Sequence, residues 1–229
     1  MSRRIVSSRV IVDDVPAAKA TPLVSRRSES SRLAILDAAL SLCRERGFAK
    51  VTVEGIAARA GVGKQTIYRW WPSKGAVLLD ALEGVAARIP TADTGEVLAD
   101  MRTRLAQVVD LYADESFGPL LAALIGEAQH DPSLHADFLE RYLKPRRAQA
   151  VLVLKIAQQD GQLPGDLNLD DISDLIFGAV YHRLLLRNGP LNKAYAHFVV
   201  DTVLSGYAKN RPRHRTRRTR EAGVDGVST

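Results

Sequence analysis

One stretch constrains the fold of this chain more than any other: residues 52–74, TVEGIAARAGVGKQTIYRWWPSK. Thr52 is a residue type that caps helix N-termini, and apolar residues follow it at helical spacing. Residues 61–63, Gly-Val-Gly, supply a turn in which glycine accepts positive φ, and a second short helix follows over about 64–71. Pro72 ends that helix. Two helices joined by a short turn containing glycine form the helix-turn-helix pattern, in which the second helix enters the DNA major groove.

The exposed side of the second helix carries side chains that are suited to reading DNA. Its polar residues, all of which donate hydrogen bonds, are Lys64, Gln65, Thr66, Tyr68 and Arg69. Arginine bonds guanine bidentately, glutamine bonds adenine, and the threonine methyl group meets that of thymine. Ile67 and Trp71 lie four residues apart, so they share a face that packs inward. Taken alone, the motif also fits a helical hairpin with a solvated polar face, and the surrounding sequence distinguishes the two.

A longer pattern surrounds the motif. An amphipathic helix ending in Gly-Phe is followed by Thr-Val-x-x-Ile-Ala-x-x-Ala-Gly-Val and then by Lys-x-Thr-Ile-Tyr-x-x-Trp-Pro-Ser-Lys. This pattern resembles the DNA-binding domain of TetR/AcrR-type transcriptional regulators over roughly residues 31–82. The residues that carry the resemblance are Gly47, Phe48, Thr52, Val53, Ile56, Ala57, Ala60, Gly61, Val62, Lys64, Thr66, Ile67, Tyr68, Trp71, Pro72, Ser73 and Lys74.

The motif and the resemblance together predict the DNA contacts. They are Thr52, Lys64, Gln65, Thr66, Tyr68, Arg69, Trp70 and Lys74. The resemblance makes Lys74 a phosphate contact, and its place at the start of the next helix suits that role. The chain departs from the family at Gly63, where the family often has a serine that caps the helix and contacts a phosphate. Because glycine is tolerated at a helix cap, this departure removes one side-chain contact without affecting the fold.

The whole chain is interpreted as all-α, with two domains between basic ends. Residues 29–89 are expected to form an N-terminal three-helix helix-turn-helix domain with a connecting helix. Residues 90–208 are expected to form a C-terminal helical bundle, which the resemblance assigns to ligand binding and dimerisation. A disordered basic leader, residues 1–28, and a disordered basic tail, residues 209–229, are expected at the two ends.

Two expectations concern single helices. The first helix should start near Ser30 or Ser31 and end at Gly47, with Leu33, Leu36, Leu40 and Cys43 as its buried stripe. A long helix should run from Pro132 to about Gln159. Pro145 lies inside this helix and should kink it, because proline has no N–H to donate.

The formal charge of +6 is unevenly distributed along the chain. Residues 33–75 carry 7 Lys/Arg against 3 Asp/Glu, whereas residues 76–208 carry 11 against 18. A basic motif beside an acidic C-terminal half favours DNA binding by the N-terminal domain alone. Arg26 and Arg27 can reach an adjacent minor groove, or the leader is simply solvated. The basic tail is equally consistent with phosphate attraction, an acidic partner or a membrane surface.

Other function classes find little support in the sequence. No Gly-rich phosphate loop, nucleophile elbow or zinc-type Cys/His spacing is present, so no enzyme, metal site or cofactor is expected. The single cysteine, Cys43, excludes an internal disulfide. No apolar run approaches the ~20 residues that span a bilayer, and Asp13 and Asp14 interrupt the N-terminal apolar stretch. We therefore expect a cytoplasmic protein without a membrane partner.

The resemblance also implies a homodimer and a pocket for a small-molecule effector. In the family, the last two helices pair with their mates in a four-helix interface. The corresponding residues expected here are Ile176, Val180, Leu184, Phe198 and Thr202, although one face of each helix should also serve the core of the chain. The pocket is expected among apolar residues with polar neighbours, namely Met101, Leu105, Phe117, Leu121, Phe177 and Tyr181. The core of a helical bundle has the same sequence pattern.

We therefore interpret the chain as a one-component transcriptional regulator, and the resemblance implies a ligand-responsive repressor. A two-fold dimer would read double-stranded DNA at a palindromic operator whose half-sites lie ~34–36 Å apart, or a multiple of that distance. The alternative is a non-specific architectural DNA-binding protein that uses the basic tails. The large acidic C-terminal half argues against this alternative. A scaffold that does not bind DNA is a third class.

Overall fold

The structure, a computed structural model, describes residues 23–86 and 94–208 of the chain. These residues form helices and no β-strand, so the all-α fold class is confirmed. The elements in chain order are α1 (Leu23–Arg46), a 3-10 turn (Phe48–Lys50), α2 (Val53–Ala60), α3 (Lys64–Tyr68), α4 (Lys74–Ala86), α5 (Val97–Ala113), α6 (Phe117–Ala128), α7 (Pro132–Asp137), a π-helical segment (Phe138–Leu143), α8 (Lys144–Gln159), α9 (Leu169–Leu186) and α10 (Lys193–Ala208). The expectations for residues 1–22, 87–93 and 209–229, including both tails, lie outside the described residues.

Helix α1 begins earlier than its sequence pattern indicates. It starts at Leu23 rather than near Ser30 or Ser31, so the last residues of the expected leader 1–28 are helical. No glycine or proline interrupts residues 23–46. Arg32 also pairs with Glu29 one turn earlier at 3.2 Å, an i,i+3 contact that stabilises a helix in its polar region.

The buried face of α1 is rotated from the expected one. Leu33 is 55% exposed, and Leu36 and Leu40 are half-buried, whereas Cys43 is buried as expected. The residues of α1 in the core are Ile35, Ala38, Ala39, Leu42 and Cys43. Apolar residues cover much of the circumference of α1, so the helical period allows both faces. Contact with α2 and α4 selects the second one.

The carboxylate of Asp80 in α4 joins residues of the N-terminal helices to the C-terminal bundle. Arg32 Nη1 donates to Asp80 Oδ2 at 2.8 Å, and Trp71 Nε1 donates to the same oxygen at 3.0 Å. From the π-helical segment, Arg141 approaches Asp80 Oδ1 at 3.7 Å and Glu83 Oε1 at 3.0 Å. The Asp80 side chain is largely buried, and a buried charge requires such partners. We call these five residues the Asp80 junction.

Helix α5 occupies the centre of the C-terminal bundle. Met101, Leu105 and Val109 on this helix are fully buried, and α5 contacts α6, α8, α9 and α10. Leu121 and Leu124 of α6 are also fully buried, which agrees with the strongly apolar sequence of that helix. The core of the bundle is therefore built from apolar faces that converge on α5.

The long helix expected from Pro132 is interrupted just before Pro145. Helix α7 ends at Asp137, the π-helical segment follows, and α8 begins at Lys144. Proline has no N–H to donate, which disturbs the hydrogen-bond ladder of the preceding turn. Next to this proline, Arg146 Nη1 donates to the Tyr142 carbonyl at 2.6 Å. The break expected at Pro145 thus takes the form of a π-helical turn, a feature frequent at functional sites.

Gly118 allows α6 to approach the backbone of α5. A Cβ atom at this position would lie 2.1 Å from the Tyr112 carbonyl oxygen. We expect Gly118→Ala to lower the free energy of unfolding by about 3 kcal/mol, because the backbone of α5 cannot move aside as a flexible side chain can. Gly126→Ala is the matched control in the same helix, since no atom lies within 4 Å of its Cβ. The control should gain roughly 0.5–1 kcal/mol through helix propensity. Urea denaturation measures both, and equal stabilities of the two variants would contradict this packing.

Candidate DNA-binding surface and regulatory cavity

The turn between α2 and α3 forms as the sequence predicts. Thr52 is the N-cap of α2, and its Oγ1 accepts a hydrogen bond from the Gly55 N–H at 3.0 Å. Gly61 ends α2 at φ 66°, a left-handed conformation that glycine adopts without a steric penalty. Gly63 is the N-cap of α3 in an extended conformation and provides no side-chain cap. The helix-turn-helix geometry therefore follows from one polar cap and one glycine at positive φ.

Helix α3 separates an apolar inner face from a polar outer face. Ile67 and Trp71 are buried, as their spacing predicts. On the outer face, Gln65 and Arg69 are exposed and Tyr68 is 51% exposed. The helix is shorter than its expected range of 64–71, because regular α-helical structure ends at Tyr68. The backbone N–H groups of Trp70 and Trp71 both bond to the Ile67 carbonyl, so the chain continues as a turn up to the buried Trp71.

Two of the residues expected to contact DNA are half-buried within the protein. Trp70 is half-buried, packs edge-on against Trp71 at 5.4 Å between ring centroids, and lies under the Arg69 guanidinium at 5.3 Å. Thr66 is half-buried as well. A half-buried ring beside an exposed arginine is suited to orienting that arginine. The roles of Trp70 and Thr66 as DNA contacts remain predictions.

Lys64 forms an ion pair with Glu54 across the turn. The two charged atoms lie 2.9 Å apart, and both side chains are exposed. The hydrogen bond between them raises the pKa of the Lys64 ammonium and lowers the pKa of the Glu54 carboxyl. Exposed pairs of this kind contribute little to stability, so a DNA phosphate can replace the carboxylate at small cost.

Lys74 lies at the first residue of α4, beneath the 3-10 turn. Its Nζ is 4.5 Å from the centroid of the Phe48 ring, and the side chain is half-buried. Ser73 precedes it and accepts a hydrogen bond from the Ala76 N–H at 3.2 Å. A cation held over an aromatic ring at a helix N-terminus provides two sources of positive potential for a phosphate. This geometry supports the expected phosphate contact.

A cavity of about 350 Å³ lies in the C-terminal domain between α5, the π-helical segment, α8 and α9. Of the expected pocket residues, Phe177 and Tyr181 line it. The other four, Met101, Leu105, Phe117 and Leu121, are buried in the core and do not line this cavity. Their apolar spacing corresponds to close packing between helices, whereas the cavity wall includes polar residues that periodicity does not select.

Apart from Tyr181, the polar residues of the cavity wall were not predicted from the sequence. They include Arg104, Tyr112, Tyr142, Arg146 and Gln149. One signal was available, because Arg104 interrupts the apolar stripe of Met101, Leu105 and Val108 on α5. A charged residue inside a buried stripe is unusual and marks a candidate functional position.

Three tyrosine hydroxyls form a chain along the cavity. Tyr142 Oη donates to Tyr112 Oη at 3.4 Å, and Tyr112 Oη lies 3.3 Å from Tyr181 Oη. Burial raises the pKa of all three phenols. These residues therefore remain neutral near pH 7 and offer hydroxyl groups without negative charge.

The residues expected at the dimer interface fall into a buried group and an exposed group. Ile176, Val180 and Leu184 face the interior and are almost fully buried within one chain, so they have no surface to offer to a partner. Phe198 and Thr202 are exposed, and Phe198 is 63% exposed. The exposed apolar residues of α9 and α10 are Leu175, Leu185, Leu186, Phe198 and Tyr207. Periodicity identifies apolar residues on these helices, but it does not say which of their faces points inward.

Metal-binding clusters and membrane-spanning helices are both absent from the described residues. Within residues 23–86 and 94–208, no group of three or more His, Cys, Asp or Glu side chains has an arrangement that could hold a metal ion. No helix in the described part of the chain is long and apolar enough to cross a membrane.

Comparison with known proteins identifies both halves of the chain. Residues 35–81 match the model of bacterial regulatory proteins of the tetR family, and residues 91–203 match the model of the tetracyclin repressor-like C-terminal domain. The HTH-type transcriptional regulator YdeS of Bacillus subtilis is 36% identical over 79% of this chain and 91% of its own length. The DNA-binding transcriptional repressor TetR of Mycobacteroides abscessus is 31% identical over 78% of this chain and 94% of its own length.

Solved structures of TetR family regulators are also similar to this chain. The TetR family transcription regulator SCO0332 is 36% identical, with a TM-score of 0.67 over 77% of this chain and 98% of that one. FadR of Thermus thermophilus, a TetR family transcriptional repressor solved with lauroyl-CoA, is 25% identical, with a TM-score of 0.63 over 86% of this chain and 100% of that one. This chain therefore belongs to the TetR family of DNA-binding transcriptional regulators.

Proposed function

We propose that this regulator represses transcription as a homodimer on a palindromic operator, and that a small molecule in the C-terminal cavity releases it. One observation carries the proposal: the π-helical segment contributes Tyr142 to the cavity and Arg141 to the Asp80 junction. The names of two relatives, a repressor and a FadR repressor solved with lauroyl-CoA, support repression and effector binding. Action on an operator would take place in the cytoplasm.

The outer face of α3 would contact base edges in the major groove. Gln65 and Arg69 are exposed there and match the hydrogen-bond patterns of adenine and guanine. Thr52, Lys64 and Lys74 lie around this helix and would contact phosphates, which fix the register without reading sequence. In a two-fold dimer the two α3 helices would enter successive major grooves.

The Asp80 junction offers a route from the cavity to the DNA-binding surface. Arg141 and Tyr142 are neighbours in the π-helical segment, so a ligand that contacts Tyr142 also acts on the position of Arg141. Arg141 pairs with Asp80, and Asp80 accepts the hydrogen bond from Trp71, which ends the turn that follows α3. A ligand that favours one arrangement of this segment would shift the population between dimers with different spacings of α3.

Sequence-specific binding is tested by selecting fragments that the full-length chain retains from randomised duplex DNA. We expect a palindromic consensus, because a two-fold dimer presents two copies of α3. Arg69→Ala should weaken binding by roughly ten- to a hundredfold and relax the preference at one position of each half-site. Lys155→Ala, which removes an exposed charge on α8, is the control and should retain the consensus. Binding without enrichment of any sequence would refute the proposal and favour the architectural alternative.

Gly63 offers a test of the phosphate contact that the chain lacks. The residue has extended N-cap geometry, and no atom lies within 4 Å of an added Cβ. Gly63→Ser should therefore stabilise the protein by a few tenths of a kcal/mol as a cap, and should also tighten operator binding about threefold through a new phosphate contact. Gly63→Ala is the matched control, since its methyl group can neither cap nor bond. Equilibrium unfolding and operator titration separate the two effects, and equal operator affinities for the serine and alanine variants would contradict the contact.

The dimer is tested at the exposed face of α10. Phe198→Glu should convert the dimer to a monomer, because it places a charge in a contact that we propose to be apolar. Leu33→Glu in α1 is the control, since Leu33 is similarly exposed but belongs to another surface. Sedimentation equilibrium at micromolar concentration measures the mass of each. A Phe198→Glu variant that remains dimeric would show that the interface lies elsewhere.

A further inference from the structure

Two arginines in the cavity wall lack a carboxylate partner. Arg104 is only 5% exposed, and it donates through Nη2 to Gln149 Oε1 at 2.8 Å and to the Arg146 carbonyl at 3.5 Å. Arg146 stacks on the Tyr142 ring, with its guanidinium carbon 3.8 Å from the centroid, and bonds the Tyr142 carbonyl. The Nε atoms of both arginines are buried without a hydrogen-bond partner, and neither forms an ion pair within the described residues.

This arrangement is unfavourable for the protein by itself. Burial lowers the pKa of the Arg104 guanidinium, and the nearby charge of Arg146 lowers it further. Arginine nevertheless stays protonated in proteins, so both positive charges persist, and that of Arg104 does so in surroundings that solvate it poorly. Arg147, at the same cavity, provides a contrast. Its Nε also lacks a hydrogen bond, but the guanidinium pairs with Asp170 at 3.3 Å and with Asp174 at 2.9 Å, so its charge is balanced.

Glu83 interacts electrostatically with Arg146, but its ion pair is with Arg141 at 3.0 Å. The remainder of the wall provides no carboxylate in an ion pair with Arg104 or Arg146. Its apolar members include Val108, Leu111 and Phe177. Its tyrosines are neutral phenols, and the carboxylate of Asp174 is already paired with Arg147. The cavity thus combines an apolar surface with two preorganised cations that form no ion pair among the described residues. This combination matches a ligand with an anionic head and an apolar body.

We propose that the effector of this regulator is an organic acid whose carboxylate or phosphate head binds between Arg104 and Arg146 and whose apolar body packs against Phe177. The inference rests on the proposed effector role of the cavity and specifies the chemical class of its ligand. Arginine recognises carboxylates and phosphates through the same bidentate hydrogen bonds, so the two heads share this chemistry. A volume of about 350 Å³ corresponds to a small ligand rather than a macromolecule.

The test uses four probes with the same eight-carbon body: nonanoate, octyl phosphate, octanol and octylamine. Isothermal titration calorimetry with the full-length protein measures the binding of each. At least one of the two acids should bind ten- to a hundredfold more tightly than octanol, and octylamine should not bind. The stronger of the two acids identifies the preferred head. The proposal is overturned if neither acid binds, or if octanol or octylamine binds as tightly as the better acid.

Variants connect this binding to the two arginines. Arg104→Met and Arg146→Met should each weaken binding of the preferred acid at least tenfold. Arg102→Met is the matched control, since Arg102 lies on the same helix but pairs with Asp201 outside the cavity, and it should leave the affinity unchanged. Arg104→Met should melt no lower than the wild type, because methionine removes an unbalanced buried charge. A folded Arg104→Met variant with wild-type affinity would overturn the assignment of the head site.

Operator release separates this inference from the proposed function. The preferred acid is added to the complex of the protein with its selected operator. Binding of the acid together with release of DNA supports both the ligand class and the effector role. Binding without release supports the ligand class and refutes the proposed effector role, whereas failure of both acids to bind refutes the ligand class while specific operator binding stands.

Discussion

The Asp80 carboxylate is the constraint on which the arrangement of the two domains depends. It accepts hydrogen bonds from Arg32 of α1 and from the Trp71 indole, and it attracts Arg141 of the π-helical segment. Apolar packing orders each of these elements separately, but it allows them to slide against one another. A largely buried carboxylate with directional partners on three elements prevents such sliding, because any displacement leaves a charge without its partner.

The cavity wall contains a buried charge, whereas the core around it is apolar. On α5, Met101 and Leu105 are fully buried in close-packed surroundings, while Arg104 between them is buried without a counter-charge. An apolar side chain at this position would suit the fold better. Charged residues that are buried without stabilising the fold are found mainly at functional sites. Arg104 and Arg146 are therefore better explained by what the cavity binds than by what the bundle needs.

The sequence predicts the helices and the DNA-binding motif well, because their determinants are local. Thr52 as a cap and Gly61 at positive φ are readable from a few neighbouring residues, and the structure has both. The buried face of each helix is harder to predict from the sequence, since it depends on which other element the helix packs against. Leu33 on α1 and Ile176 on α9 are both apolar at helical spacing, yet the first is exposed and the second is buried. The cavity is harder still to predict, because Tyr112, Tyr142 and Tyr181 lie on three different helical elements and come together only through tertiary packing.

The π-helical segment before Pro145 borders both the cavity and the Asp80 junction. Just before Pro145, the Tyr142 carbonyl accepts a hydrogen bond from the Arg146 side chain, which also lines the cavity. In the proposed mechanism an anion in the cavity would compete with that carbonyl for the Arg146 guanidinium. The π-helical turn would then lose a hydrogen bond at the point where Arg141 extends toward Asp80. A π-helical turn and a regular α-turn differ by one residue in their hydrogen-bond register, so a change from one to the other would give the segment two discrete arrangements. A ligand with different affinities for the two arrangements would therefore bias the spacing of the DNA-binding helices, without a continuous deformation of the core.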